Sequence, residues 1–143
     1  MSFFKKLLKS VNEKMLESFN ENVLKNDRGG VSISDEQRCR NNIEQVIASE
    51  YVGYELRRNV PSAEMHATDN AVDYTYGLYN NGYPVLFINV IVNRNNYSLL
   101  RFRRAKEAAE ANGVPHLNFF SHLPNEVSYI SNRLYKTLNK INY

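Results

Sequence analysis

Cysteine and tryptophan are nearly missing from this chain of 143 residues, which has one cysteine and no tryptophan. Cys39 alone cannot form an internal disulfide or supply a multi-cysteine zinc site. Long apolar runs are missing too: the longest, residues 85–92, is interrupted by Asn89, so we expect no membrane span. Three lysines among the first nine residues break up the apolar N-terminus, which argues against a signal peptide. These absences predict a cytoplasmic protein.

Acidic residues are absent from residues 74–106, although the chain has 15 Asp and Glu in all. The same stretch contains five basic residues, namely Arg94, Arg101, Arg103, Arg104 and Lys106. A basic surface is the usual electrostatic signature of a partner with phosphate groups, so DNA or RNA is the expected partner. The alternative is an ordinary solvated helix face. The net charge of +3 is mild and does not choose between the two.

The N-terminal residues show an apolar pattern with helical spacing. Between residues 3 and 24, apolar side chains recur every three or four positions, at Phe4, Leu8, Val11, Met15, Phe19 and Val23. Lysines in the first half favour a membrane-surface helix, but glutamates in the second half oppose binding to anionic lipid. We therefore expect this helix to pack on the domain or on a second copy, which would give a homo-oligomer. Gly29 and Gly30 predict a turn, so residues 1–31 form the helix and linker, and residues 32–143 the domain.

The rest of the chain alternates between helical and strand patterns. Ser34 begins a capping-box pattern, and the helix after it runs to about residue 51. Strands are predicted at 54–60, 72–79, 83–92 and 114–123, with helices at 98–112 and from residue 124 onward. The order is α-β-β-β-α-β-α, and the helix between the last two strands makes them parallel. The predicted fold class is α/β (α+β), a four-stranded mixed sheet flanked by helices.

Few other side chains are candidates for chemistry. Cys39 falls on the apolar stripe of its helix, which predicts a buried and inert thiol. His116 and His122 flank the fourth strand, but six residues of strand span roughly 20 Å, too far for both to bind one metal. His66 lies in a polar stretch at 62–70 that we expect to be a surface loop. These residues predict no metal site.

Two segments resemble a known family. One is Val72-Asp73-Tyr74 with the strand at 83–90, and the other is the helix end and turn at 108–117. Together with the order of elements, they are similar to the restriction-endonuclease-like PD-(D/E)XK fold, most of all to its very-short-patch-repair branch and related uncharacterised bacterial domains. The resemblance covers residues 35–123. It implies a nuclease fold in which Mg²⁺, held by converging acidic oxygens, hydrolyses a phosphodiester beside a lysine.

The resemblance assigns positions to the family's functional residues, and two of them depart from the pattern. Asp73 takes the first acidic position and Glu44 that of an auxiliary acid, while Asn89 replaces the second acid and Ile91 the lysine. An asparagine offers a carbonyl oxygen without charge, so metal affinity should fall sharply. No carboxylate lies between Asp73 and Glu107 to replace it. We therefore predict a vestigial site, formed by Asp73, Asn89 and Glu44, with no catalysis, no cofactor and a basic surface for nucleic acid.

The hairpin between the second and third strands bears on this interpretation. If Asn80-Asn81-Gly82 is a three-residue loop, as the family reading predicts, Asp73 faces Asn89 directly and Gly82 is left-handed. A two-residue loop would send the two side chains to opposite faces unless a bulge compensates.

Three alternatives stay open. Asp73 could cap a turn and Asn89 could bond a neighbouring side chain, which would give both a structural role. Lys106 or Arg101 could restore catalysis from the following helix, which would make the chain an active Mg²⁺-dependent endonuclease. The sheet, the tyrosines of the hairpin and the N-terminal helix could instead form a homo-oligomeric or protein-partner interface.

Overall fold

The computed structural model describes residues 33–139. In chain order the elements are α1 (Asp35–Glu50), β1 (Glu55–Val60), a 3-10 helix (Ser62–Met65), β2 (Tyr74–Asn80), β3 (Tyr83–Ile91), α2 (Asn96–Ala111), β4 (His116–Phe120) and α3 (Val127–Asn139). The predicted N-terminal helix at 3–24 and the Gly29-Gly30 linker lie outside the described residues. Within residues 33–139, none of the helices has the length and apolar character needed to cross a membrane.

The four strands form one mixed sheet in the order β1-β2-β3-β4. β1 pairs antiparallel with β2, β2 pairs antiparallel with β3, and β3 pairs parallel with β4. The parallel pair follows from the crossover through α2, because a strand reached through a helix returns in the same direction. The predicted mixed sheet of the α+β class is confirmed.

The turn between β2 and β3 differs from the predicted three-residue loop. Asn80 pairs with Tyr83, so the loop has two residues, Asn81 and Gly82, with φ of 53° and 83°. Both dihedrals are left-handed, as a type I′ turn requires, and this turn matches the twist of the strands it joins. The predicted loop length is therefore wrong, whereas the left-handed conformation of Gly82 is confirmed.

A bulge at Val85 shifts the register by one residue just after the turn, because Val85 has no partner on β2. The observed pairs end at Tyr76 with Ile88, and the same register continued by one residue sets Asn89 opposite Thr75. The predicted pairing of Asn89 with Asp73 is therefore wrong. A two-residue turn alone would have put Asp73 and Asn89 on opposite faces of the sheet. The bulge returns them to the same face, but it gives Asn89 a different partner.

The sheet separates two apolar cores, because neighbouring residues of each strand point to opposite faces. α1 and α3 pack on one face, over a core that includes Ile43, Val46, Leu78, Leu86, Ile88, Phe119, Ile130 and Leu134. The other core, beneath α2, contains Val60, Ala71, Tyr74, Tyr79, Phe87, Ala105, Ala109 and Val114. The two buried alanines of α2 have short side chains, so the helix can approach the aromatic rings of the sheet closely.

The polar stretch at 62–70, predicted to be a surface loop, contains the 3-10 helix and packs against the second core. Met65 and Ala67 contact that core with partly buried side chains. Asn112, at the end of α2, donates its side-chain amide to the carbonyl of Met65 at 2.9 Å. The stretch follows β1 in the chain and is held against the end of α2 by this hydrogen bond.

Candidate functional site

Asp73 directly precedes β2, and its carboxylate faces the start of the 3-10 helix. Its Oδ1 accepts a hydrogen bond from the backbone N–H of Ser62 at 3.1 Å. Ser62 is the first residue of that helix, where backbone N–H groups have no partner inside the helix. The carboxylate therefore caps a turn, as the structural alternative for Asp73 proposed.

Asn89 lies on the face of β3 that α2 covers, and only 1% of it is exposed. Its Nδ2 donates to the backbone carbonyl of Asp73 at 2.9 Å. Its Oδ1 lies 2.6 Å from Nε2 of His116 on β4, and because an amide oxygen only accepts, the imidazole donates through Nε2–H. Asn89 therefore connects the residue before β2 with β4 through its own side chain.

His116 is neutral in this arrangement. Burial, reinforced by the positive charge of Lys106, lowers the pKa of the imidazole to about 3. With the proton on Nε2, Nδ1 holds a lone pair, and no residue in the described part of the chain hydrogen-bonds to it. The Asn89–His116 cluster thus combines a neutral amide with a neutral imidazole. The sequence pattern alone did not pair these residues, because only the register of β3 with β4 brings them together.

Glu44 belongs to a different network, on the α1 side of the sheet. Its Oε2 accepts a hydrogen bond from the hydroxyl of Tyr76 at 2.6 Å, and its Oε1 pairs with Arg58 of β1. Burial opposes ionisation of Glu44, but the hydrogen bonds from Arg58 and Tyr76 outweigh burial and lower the pKa of the carboxyl group. Tyr76 belongs to the core under α1, on the face of the sheet away from Asn89. Glu44 therefore does not converge with the other two predicted site residues.

Ile91, at the position where the resemblance implies a lysine, is buried. Lys106 of α2 does reach this region: its Nζ donates to the backbone carbonyl of His116 at 2.9 Å. Arg101 instead donates its Nε to the carbonyl of Asn70 at 3.1 Å. Among residues 33–139, no three His, Cys, Asp or Glu side chains are grouped so that they could hold a metal ion.

Cys39 is 1% exposed, and burial raises the pKa of its thiol to about 11. A thiol with a raised pKa remains protonated at neutral pH and is a poor nucleophile. The predicted buried thiol is confirmed.

A second candidate site lies at the carboxyl ends of β3 and β4, where α2 begins. Ligands of open α/β sheets bind outside the carboxyl ends of the strands. Asn95 caps α2 by accepting a hydrogen bond from the Ser98 N–H at 2.8 Å, and the first turn of α2 contains no acidic residue. The partial positive charge at the start of this helix is therefore not neutralised within its first turn.

Exposed cations and an aromatic ring surround the start of α2. Arg94, in the loop after β3, is exposed, and its Nη1 lies 3.3 Å from Nε2 of His122 in the loop after β4. The guanidinium carbon of Arg101 lies 6.0 Å from the ring centroid of Tyr97, a residue that is 67% exposed. His122 was absent from the predicted surface, because only the parallel pairing of β3 and β4 brings the two loops together.

Arg103 lies on the other side of α2 from Arg101, because two residues along a helix rotate the side chain by about 200°. Its side chain is 68% exposed, and its Nε is 3.9 Å from Oε1 of Glu107, a surface pair that contributes little energy in water. Arg103 also lines an open concavity of about 360 Å³ together with Asn96, Leu99 and Leu100. The guanidinium group is therefore accessible beside an apolar hollow.

The other two predicted phosphate-facing residues are turned toward the protein. Lys106 is occupied by the carbonyl of His116, and its Nζ also lies 3.8 Å from Oε1 of Glu110. The Nε of Arg104 is buried and has no hydrogen-bond partner among the described residues. We name the remaining set, Arg94, Tyr97, Arg101 and Arg103, the α2 basic surface.

The two candidate sites differ in what they can do chemically. The Asn89–His116 cluster is buried and neutral, whereas the α2 basic surface presents the exposed guanidinium groups of Arg94 and Arg103, and the exposed ring of Tyr97 beside the half-buried Arg101. Comparison with known proteins gives no match, whether to a family model, to a curated protein or to a solved structure. The chemistry of these two sites is therefore the basis for assigning a function.

Proposed function

We propose that this chain is a restriction-endonuclease-like domain that binds DNA or RNA through the α2 basic surface and does not hydrolyse it. The main support is the accessibility of Arg94 and Arg103 and the exposed ring of Tyr97 beside Arg101. Guanidinium groups bind phosphate oxygens through a planar fork of donors, and an exposed tyrosine can stack on an unpaired base.

The arrangement of elements supports the restriction-endonuclease-like part of the proposal. The resemblance implies a helix, three antiparallel strands, a crossover helix and a strand parallel to the third. The observed strand pairings are compatible with that arrangement over residues 35–123. Asp73 and Asn89 also share one hydrogen bond, through the backbone carbonyl of Asp73.

The neutral Asn89–His116 cluster supports the absence of hydrolysis. Mg²⁺ prefers charged oxygen ligands, and two acids would have to converge on it. The carboxylate of Asp73 caps the 3-10 helix, and Glu44 lies on the other face of the sheet. Lys106 is a feature that the active-nuclease alternative could use, because it lies beside His116.

Nucleic-acid binding is tested by fluorescence anisotropy with labelled single- and double-stranded DNA and RNA over a range of salt concentrations. We expect the affinity to fall steeply as salt rises, because bound phosphates release their counterions. Arg94→Ala and Arg103→Ala should each weaken binding and reduce the slope of log affinity against log salt by about one. Arg38→Ala, which removes an exposed arginine from α1, is the matched control and should leave the slope unchanged.

Absence of binding to all four probes at low salt would refute the proposal. An equal loss in Arg38→Ala would show that the net charge, and not the α2 basic surface, determines the affinity.

Hydrolysis is tested by incubating the protein with supercoiled and single-stranded DNA and Mg²⁺ or Mn²⁺. We expect the DNA to remain intact. Cleavage that disappears in Asp73→Ala would establish the active-endonuclease alternative. Because Asp73 also caps the 3-10 helix, Asp73→Asn, which keeps an accepting oxygen, serves as a second variant, and circular dichroism checks that both remain folded.

A further inference from the structure

β1 lies at the edge of the sheet, and β2 is its only strand neighbour among residues 33–139. The outward direction of its backbone follows from the hydrogen bonds of the other strands. The N–H of Phe87 donates to the carbonyl of Pro115 next to β4, so odd-numbered residues of β3 face β4 and even-numbered residues face β2. Away from the turn, even-numbered residues of β2 pair with even-numbered residues of β3, so their backbone groups face β3. Leu56 and Arg58 of β1 lie opposite such residues, and their own backbone groups therefore point away from β2, toward the outer edge.

The opposite edge of the sheet is blocked. The even-numbered carbonyls of β4 point away from β3, and each accepts a hydrogen bond from a side chain. The three donor–acceptor pairs are Lys106 Nζ with His116 O at 2.9 Å, Arg133 Nη1 with Asn118 O at 2.7 Å, and Asn125 Nδ2 with Phe120 O at 2.7 Å. No described side chain hydrogen-bonds the backbone of β1 in this way. Within residues 33–139, the sheet can therefore be extended at β1 and not at β4.

We propose that β1 pairs antiparallel with β1 of a second copy of this chain, with Leu56 opposite Leu56 at the two-fold axis. This register brings outward-facing backbone groups together, and it places Glu55 of each copy opposite Arg57 of the other. Both side chains are exposed, and within one copy they already form an ion pair at 3.0 Å. In the pair of copies, the four side chains form a ring of alternating charge.

The charges of β1 favour this register over its neighbours. A register centred on Glu55 would oppose two glutamates, and one centred on Arg57 or on Arg58 would oppose two arginines. Directly opposed like charges destabilise a strand pair. A register centred on Asn59 would place the two-fold axis at a residue whose φ of 54° departs from strand geometry, which disfavours pairing there. The sequence Glu-Leu-Arg is thus complementary to itself in one antiparallel arrangement.

A hollow beside β1 supplies further contact area for a second copy. It has a volume of about 400 Å³ and lies between α1 and β1, where Ile47, Tyr51, Tyr54 and Leu56 form its apolar part and Glu44 and Arg58 are among its polar residues. Val52, also in its lining, is 56% exposed. A two-fold axis perpendicular to the sheet places α1 of both copies on the same face, so that each hollow faces the other across the axis. Burial of these side chains would add to the strand pairing.

Charge exchange on the full chain tests the proposal, with sedimentation equilibrium as the readout. The wild type should form dimers, and Glu55→Arg or Arg57→Glu should each weaken dimerisation at least about tenfold, because both bring like charges together. The double variant E55R/R57E should dimerise as the wild type does. An equimolar mixture of the two single variants should form a heterodimer, since every opposed pair then has opposite charges.

Arg103→Glu is the matched control: it makes the same change of charge on the α2 side of the sheet and should leave dimerisation unchanged. Circular dichroism checks the fold of each variant. A wild type that remains monomeric at millimolar concentration would refute the proposal. A dimer that Arg57→Glu and Arg103→Glu weaken equally, or that the double variant does not restore, would refute it as well. The experiment contains no nucleic acid, so its result is independent of the proposed function.

Discussion

Asn89 shows how the choice of one residue decides the chemistry of a buried site. A carboxylate at this position would be almost fully buried beside His116, and its charge would need a metal ion or a cation to compensate it. The amide instead donates to one carbonyl and accepts from the imidazole, so both of its ends are satisfied without charge. The position at which the family resemblance implies an acid is therefore a neutral connection between neighbouring strands.

We predict that His116 makes the folded state sensitive to mildly acidic pH. Its pKa is about 3 in the folded chain and about 6.5 in the unfolded chain, so below pH 6.5 the unfolded chain binds a proton that the folded chain does not. The contribution to stability is therefore full above about pH 6.5 and is lost as the pH falls toward 3. The loss approaches about 1.4 kcal/mol per pH unit. Urea denaturation between pH 7 and pH 5 measures this slope.

His116→Gln should flatten the slope, even if the variant is less stable at every pH. His66→Asn is the matched control, because His66 is exposed and its φ of 59° is one that asparagine tolerates. The control should retain the slope of the wild type. An unchanged slope in His116→Gln would mean that another group titrates in this range.

At the scale of the elements, two basic residues of α2, Arg103 and Lys106, have different surroundings because one of them contacts β4. α2 presents Arg103 to solvent and Lys106 to the edge of β4, although the two side chains lie only about 60° apart around the helix. A cation that saturates an edge carbonyl is not available to bind a phosphate. The count of basic residues in a segment therefore overstates the charge that a ligand meets.

We expect Lys106→Met to lower the free energy of unfolding by about 1–2 kcal/mol, because the carbonyl of His116 loses its charged donor while the aliphatic stem remains. Arg103→Met on the same helix should change it by less than about 0.5 kcal/mol, as is usual for exposed positions. Urea denaturation measures both. Nucleic-acid affinity should show the reverse order, with the larger loss in Arg103→Met. Equal losses of stability would indicate that the Nζ hydrogen bond contributes nothing.

At the scale of the whole molecule, one sheet supports two cores, and its strands contribute to both. Ile88 packs under α1 and α3, while its neighbour Phe87 packs under α2. If one core loses its packing, the strands are no longer held in place on that face. The other core packs against the same strands, so it is weakened too. Unfolding should therefore be cooperative over residues 33–139.

Two substitutions, one in each core, test this cooperativity. Ile43→Ala removes a fully buried side chain and should cost about 2–5 kcal/mol. Ala109→Leu adds volume between α2 and the sheet and should cost about 1–3 kcal/mol. Both should move one common transition, followed by far-ultraviolet circular dichroism and by tyrosine fluorescence. Separate transitions for the two probes would show that the cores unfold independently.

Local patterns in the sequence were enough to predict the elements and the mixed sheet. The hydroxyl of Ser34 caps α1 by accepting from the N–H of Gln37, as its capping-box pattern predicts. The crossover through α2 makes β3 and β4 parallel. The two-residue turn with a compensating bulge was an alternative that the sequence left open, but the local pattern did not place the bulge at Val85.

By itself, then, the sequence determined the helices and strands of the described domain, the acid-free basic stretch and the neutral amide at Asn89, because each of these depends on residue type or on short-range spacing. Tertiary structure alone decided which side chains meet. Register brought Asn89 to His116 and His122 to Arg94, the faces of the sheet separated Glu44 from Asp73, and the packing of α2 beside β4 divided its cations between β4 and solvent. The physical reason is that contacts between residues far apart in the chain depend on the packing of whole elements, which no local pattern records.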